Sequence, residues 1–224
     1  MELKDQYREL VLKMVVEDMP QNLWQRLIDY SRKTYGEAFS IVSSDPSLLK
    51  DQRSQKLFQE RYFKMEHAIA AAAKESGIPT SASLIGSNLC YYSYVGRGRV
   101  GFTQSYVQDF GEMPTPAGFR TQLQKMSIFR RESLLDLGDV SSELIAPKQV
   151  IGILLHSPAG KTFEESKQQL GDIGFYVPYE DGKAWAVELA LSEILSNYKP
   201  VETREDRASL PRKGEKKPAT REIP

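Results

Sequence analysis

The segment Cys90–Thr103 most constrains how this chain can fold. It has two runs rich in tyrosine and β-branched residues on either side of a Gly-Arg-Gly-Arg sequence. Aromatic and β-branched residues favour extended strands, and glycine supplies the positive φ that a tight turn requires. The pattern therefore predicts a β-hairpin over about residues 89–107, with Arg97 and Arg99 directed into solvent at its tip.

Apolar residues recur at helical spacing along the N-terminal third of the chain. One such segment ends at Asp18–Pro20, a second covers Gln21–Phe39, and a third follows the Asp-Pro helix-entry signal and covers Ser44–Ser76. Gly77 is a typical helix stop. The sequence predicts a helical region over residues 1–78.

Three later apolar runs predict further strands: Gln149–Leu155, Ile173–Val177 and Trp185–Leu191. An Asp-Gly pair between the last two predicts a hairpin turn. The predicted fold class is α+β, with the helical N-terminal half packed on antiparallel β-hairpin and sheet units. Residues 79–199 are expected to form an α+β region packed with the helical region as one body.

The composition changes at Pro200. Residues 201–224 hold seven basic and five acidic side chains, a net charge of +2, and almost no large aliphatic residues. Such a segment buries too little apolar surface to offset its conformational entropy. The sequence predicts a disordered tail over residues 200–224.

The overall charge limits the kinds of partner. The chain has 30 Lys+Arg and 30 Asp+Glu, so any nucleic-acid binding must come from a local basic patch. With one cysteine no intramolecular disulfide can form, which favours a reducing compartment. The apolar runs are far shorter than the roughly 20 residues of a bilayer span. We therefore predict a cytoplasmic protein that is not a membrane protein.

The basic hairpin suggests nucleic acid as a partner. In a winged helix-turn-helix, Thr80–Ile85 would be a short recognition helix and the hairpin the wing, although this segment has no basic residue to read bases. Phosphate contacts alone give affinity without sequence reading. The main hypothesis is a non-enzymatic accessory or regulatory protein that binds nucleic acid, or a partner on nucleic acid, through these predicted contact residues: Arg97, Arg99, Arg130 and Arg131.

Two other functions remain open from the sequence. The tyrosine-rich hairpin is also compatible with a protein–protein interaction module that has no nucleic-acid role. A small Mg²⁺-dependent nuclease would use Asp172 with the acid-x-lysine pair Asp181 and Lys183. Because Asp-Gly favours a turn, the sequence favours a hairpin over a metal site there. The sequence leaves the oligomeric state and the choice between DNA, RNA and protein open.

The remaining chemical motifs are weak. The sequence Ala159–Thr162 ends like a phosphate-binding loop, but Leu155 stands where the first glycine is required. His67 and His156 are predicted to be structural, and one cysteine with two histidines cannot supply a zinc set. We therefore predict no catalytic residue, metal or cofactor, and we expect both tryptophans in the core.

Overall fold

The structure is a computed structural model that describes residues 3–85, 90–126 and 149–199. The predicted helical region is confirmed as three helices: α1 (Leu3–Asp18), α2 (Gln21–Ser44) and α3 (Lys50–Glu75). Helix α2 continues past its predicted end because its last turns still bury apolar side chains against α3. Gly77 has a φ of +69° directly after α3, which confirms the predicted stop.

The strands of the described residues belong to one six-stranded sheet, in which they follow each other in chain order. The strands are β1 (Thr80–Ile85), β2 (Cys90–Arg97), β3 (Val100–Tyr106), β4 (Val150–Pro158), β5 (Leu170–Pro178) and β6 (Trp185–Ala190). The short helices α4 (Gly118–Met126), α5 (Glu165–Gln168) and α6 (Leu191–Ser196) accompany them.

The α+β class is confirmed, and each of the two predicted β units is antiparallel, but the units join through a parallel pair at the centre of the sheet. There β3 and β4 run parallel, while every other neighbouring pair is antiparallel. A parallel pair needs a crossover connection of a dozen or more residues, and the chain between β3 and β4 has that length. The two predicted β units are therefore halves of one mixed sheet.

The helices cover one face of this sheet. Trp24 of α2 lies at the centre of the interface, with its ring 5.7 Å from that of Phe102 and 5.9 Å from that of Phe175. A smaller cluster on the other face includes Trp185 and is covered by the loop after β3. Both tryptophans are buried as predicted, and β4 is buried on both faces, which explains its continuous apolar run.

The predicted recognition helix is wrong, because Thr80–Ile85 is strand β1 and pairs with β2 over six residues. Four of the six residues are threonine, serine or isoleucine, which are weaker helix formers than alanine or leucine, and pairing with a neighbouring strand decides their conformation. The winged helix arrangement therefore does not form. The hairpin itself is confirmed: Arg97 pairs with Val100, and Gly98 has a φ of +59°.

Several sequence predictions fall outside the described residues. The tail at 200–224 lies there, as do Arg130 and Arg131. The division into regions at residues 78 and 199 stays a prediction. Within the described ranges, no helix is both long and apolar enough to cross a bilayer.

Candidate functional site

The hairpin tip packs against the end of α1. The Arg99 guanidinium donates from Nε to Asp18 Oδ2 at 2.9 Å and from Nη2 to Glu17 Oε2 at 2.8 Å. The Arg99 backbone N–H also donates to Asp18 at 2.7 Å. These hydrogen bonds lower the pKa of Asp18 and raise the pKa of Arg99. The expectation that Arg99 extends freely into solvent is wrong, because tertiary packing brings two carboxylates to it.

Of the predicted nucleic-acid contacts in the described chain, Arg97 is exposed and Arg99 is half-buried. Glu17 and Asp18 balance the charges of Arg97 and Arg99, so the tip has no local excess of positive charge. Arg130 and Arg131, at positions 130–131, lie outside the described residues. Nucleic-acid binding through this surface stays a prediction.

The acid-x-lysine pair lies in a turn, as the sequence favoured. Gly182 has a φ of +63°, and the Lys183 N–H donates to Asp181 Oδ1 at 3.0 Å. Asp172 lies near the opposite end of β5. The rise per residue of a strand puts it roughly 20 Å from the turn that holds Asp181. The described ranges contain no group of side chains that could hold a metal ion.

The segment that resembles a phosphate loop is closed by its own contacts. The Gly160 N–H donates to the Lys167 carbonyl at 2.8 Å, so it does not face a ligand. Lys161 pairs with Asp109 at 2.6 Å. A phosphate cradle needs free backbone N–H groups, which confirms the interpretation of a coincidental sequence.

The most distinctive feature of the sheet is a split between β2 and β3. The two strands pair over three residues only, ending at Val95 and Phe102. In continuous register, Ser93 and Gln104 would form the next hydrogen-bonded pair. The Ser93 N–H instead donates to the Glu66 carboxylate at 2.6 Å, and the Gln104 side chain donates to the same carboxylate at 2.8 Å. Glu66 of α3 therefore closes the inner end of the split.

The split leaves part of the β3 backbone unpaired. Arg99 and Val107 exchange backbone hydrogen bonds with β4, so the odd-numbered residues of β3 face β4. Since backbone groups alternate sides along a strand, those of Gln104 and Tyr106 point into the split. Gln104 is buried beside Glu66, whereas Tyr106 is partly exposed and lines the cleft, so the backbone groups of Tyr106 are the ones near the open end of the split.

The split opens into a cleft of about 740 Å³. Its walls come from α3, the end of β3, the loop after it and the start of α4, and its aromatic lining consists of Phe58, Tyr62, Phe63, Tyr106 and Phe119. Phe58 and Phe63 remain 47% and 51% exposed, although both are large and apolar. A cleft of this volume with an apolar lining is typical of small-molecule sites.

Arg120 is the cationic group of this cleft, whose lining also includes the exposed carboxylate of Glu112. Its guanidinium donates to Ser105 Oγ at 3.2 Å and to the Thr115 carbonyl, and lies 5.2 Å from the Phe119 ring centre. Within the described chain it has no carboxylate partner, and burial lowers the pKa of its guanidinium. A part-buried arginine that forms no ion pair within the described residues favours an anion.

A buried polar network supports the inner wall of the cleft. The Tyr35 hydroxyl lies 2.7 Å from His156 Nδ1, and Gln104 Oε1 lies 2.9 Å from His156 Nε2. Gln104 connects this histidine to Glu66, so Nε2 carries the imidazole proton and donates to Gln104. Burial, followed by the charge of Arg61, lowers the pKa of His156 to about 3. The histidine is structural, as predicted, and its neutral ring fixes the Gln104 side chain.

Sequence reasoning missed the cleft. Phe58 and Phe63 carried a signal, because both depart from the buried stripe of α3. The sequence gives no such signal for Arg120, because its role depends on which residues surround it in the folded chain. No protein-family model matches the chain, and searches of curated proteins and of solved structures found no match either.

Proposed function

We propose that this chain is a binding protein whose cleft takes a small organic anion with a flat apolar body. The observation that carries the proposal is Arg120, a part-buried cation without a carboxylate partner in the described chain, in an aromatic cleft. A carboxylate placed at its guanidinium would form a charge-assisted hydrogen bond, the stronger kind in proteins.

The aromatic walls support the apolar part of this ligand. The Phe58 ring lies edge-on to Tyr106 with centres 5.1 Å apart, and Phe119 is stacked on Tyr92 at 4.3 Å. A planar ligand can add to either arrangement at low entropic cost, because the rings are already held. The unpaired Tyr106 backbone offers a further polar contact that fixes orientation.

Titration calorimetry with naphthoate and with the uncharged naphthamide tests the proposal. We expect the wild type to bind naphthoate more tightly. Arg120→Gln should weaken naphthoate binding about ten-fold or more, since a charge-assisted hydrogen bond contributes about 1.5–3 kcal/mol. Binding of naphthamide should change little in this variant.

Two further variants complete the test. Phe63→Ala should weaken the binding of both compounds to the same extent, because it removes apolar contact area rather than charge. Arg32→Gln, on the exposed face of α2, is the matched control and should leave both affinities unchanged. Equal binding of naphthoate by wild type and by Arg120→Gln, with the thermal midpoint preserved, would contradict the proposal.

Nucleic-acid binding, the main hypothesis from the sequence, has less support from local charge. The hairpin tip has as many carboxylates as guanidinium groups, and phosphate contacts need an excess of cations. It is tested by binding at low salt with single- and double-stranded probes. If the wild type bound such a probe and the double variant Arg97→Ala with Arg99→Ala bound it more weakly, the nucleic-acid hypothesis would be supported again.

A further inference from the structure

The outer edge of strand β1 is unpaired. β1 is the first strand in the sheet order, and in the described residues no strand lies beyond it. The unpaired N–H and C=O groups of an edge strand are a template for another extended chain. Such an edge is a surface on which a partner can dock.

The pairing register shows which backbone groups are free. Ser93 directs its N–H to Glu66, away from β1, and Pro79 accepts from Gly96 at the start of β1. Because successive residues alternate, Ser81 and Ser83 face β2, whereas Thr80 and Ala82 face outward. The free groups of the edge are therefore those of Thr80 and Ala82.

This edge lacks the usual protective features. Residues 80–83 are exposed, and the strand contains no charged residue or proline and no bulge. Natural proteins block exposed edges with lysine, proline or bulges, because open edges associate. An edge without such features is compatible with strand addition.

A groove lies directly beside the edge, on the side of the helices. It has a volume of about 550 Å³, with Ala70, Ala71 and Ile78 among its lining residues. His67 and Lys74 line the same groove, and Lys74 forms no ion pair within the described chain. Small residues leave room for the side chains of an added strand, and the Lys74 cation favours carboxylates among them.

We propose that the β1 edge docks an extended segment of a partner protein with acidic side chains that face Lys74. The added strand pairs with Thr80 and Ala82 and places alternate side chains in the groove. A second copy of this chain is a poorer occupant. The β1 strand of such a copy carries no acidic side chain that could face Lys74.

The test begins with a display library of random peptides of strand length, selected on the full chain. Selected peptides should alternate apolar and acidic residues. Ala82→Pro removes an outward N–H and leaves the β1–β2 hydrogen bonds intact, so it should weaken these peptides about ten-fold or more. Ala82→Val keeps the N–H and should bind as wild type does. Lys74→Gln should weaken acidic peptides and leave their neutral analogues unchanged.

An N-methylated form of the selected peptide gives the same test without altering the protein, and should lose binding to the wild type. The proposal is overturned if no selected peptide binds in solution. It is also overturned if Ala82→Pro and N-methylation both leave affinity unchanged. Self-association that Ala82→Pro abolishes would overturn it in favour of a second copy. None of these outcomes depends on Arg120.

Discussion

Acidification from pH 8 to pH 5 should destabilise this protein through His156. The imidazole is fully buried and its pKa in the folded state is about 3, against 6.5 when it is exposed. As the pH falls below 6.5, the unfolded chain binds a proton at this site and the folded chain does not. Stability is therefore lost progressively from pH 6.5 down to pH 3. At pH 5 the loss amounts to about 2 kcal/mol relative to pH 8.

The groups around His156 determine how cleanly this effect is seen. Tyr35 and Tyr106 face the ring and do not change charge in this range, and Arg61 stays cationic. Glu66, reached through Gln104, has a pKa raised by burial, so it takes up a proton in the folded state and offsets part of the loss at the acidic end. The slope should grow as the pH falls below 6.5 and should flatten where Glu66 takes up its proton in the folded state.

Urea denaturation at several pH values between 5 and 8 measures this loss. His156→Gln should flatten the pH dependence, because glutamine can accept from Tyr35 and does not titrate. His67→Gln is the matched control, since His67 is the other histidine in the chain and lies exposed on α3. The reasoning would be refuted if the free energy of unfolding of His156→Gln depended on pH as steeply as that of the wild type. NMR signals of the His156 imidazole that titrate above pH 5 would also refute it.

Three further outcomes follow from the contacts and the composition. Arg99→Ala should lower the free energy of unfolding in urea by about 1 kcal/mol and Arg97→Ala by close to nothing, because within the described residues Arg99 forms an ion pair at a partly exposed site and Arg97 forms none. Gly152→Ala should cost about 1–3 kcal/mol, since an added Cβ would lie 2.3 Å from the Phe175 ring; an unchanged melting temperature would contradict this. Deletion of residues 201–224, which are poor in apolar side chains, should leave the melting temperature nearly unchanged.

The features that the sequence predicted correctly rest on local physics. Helices α1 to α3 follow from apolar spacing, and the turns at Gly98 and Gly182 follow from the positive φ that glycine accepts. Strands β4, β5 and β6 follow from runs of apolar residues long enough for a strand. Each of these signals lies within a few neighbouring residues, so it can be read without knowledge of the fold.

The errors and the omissions concern residues far apart in the chain. Thr80–Ile85 is a strand because β2 lies beside it, and Arg99 is ion-paired because α1 ends next to the hairpin. The parallel pairing of β3 with β4 depends on the path of a long crossover. None of these outcomes leaves a local pattern in the sequence.

The cleft illustrates the same division most clearly. The sequence by itself determined the elements that form it, namely a long helix and a hairpin. Only the tertiary structure placed the Glu66 carboxylate where it accepts a hydrogen bond from the Ser93 N–H, at the point where β2 and β3 no longer pair. The position of Arg120 beside that opening was decided in the same way. Burial and electrostatic pairing depend on which residues surround a side chain in three dimensions. The order of residues along the chain does not show which residues these are.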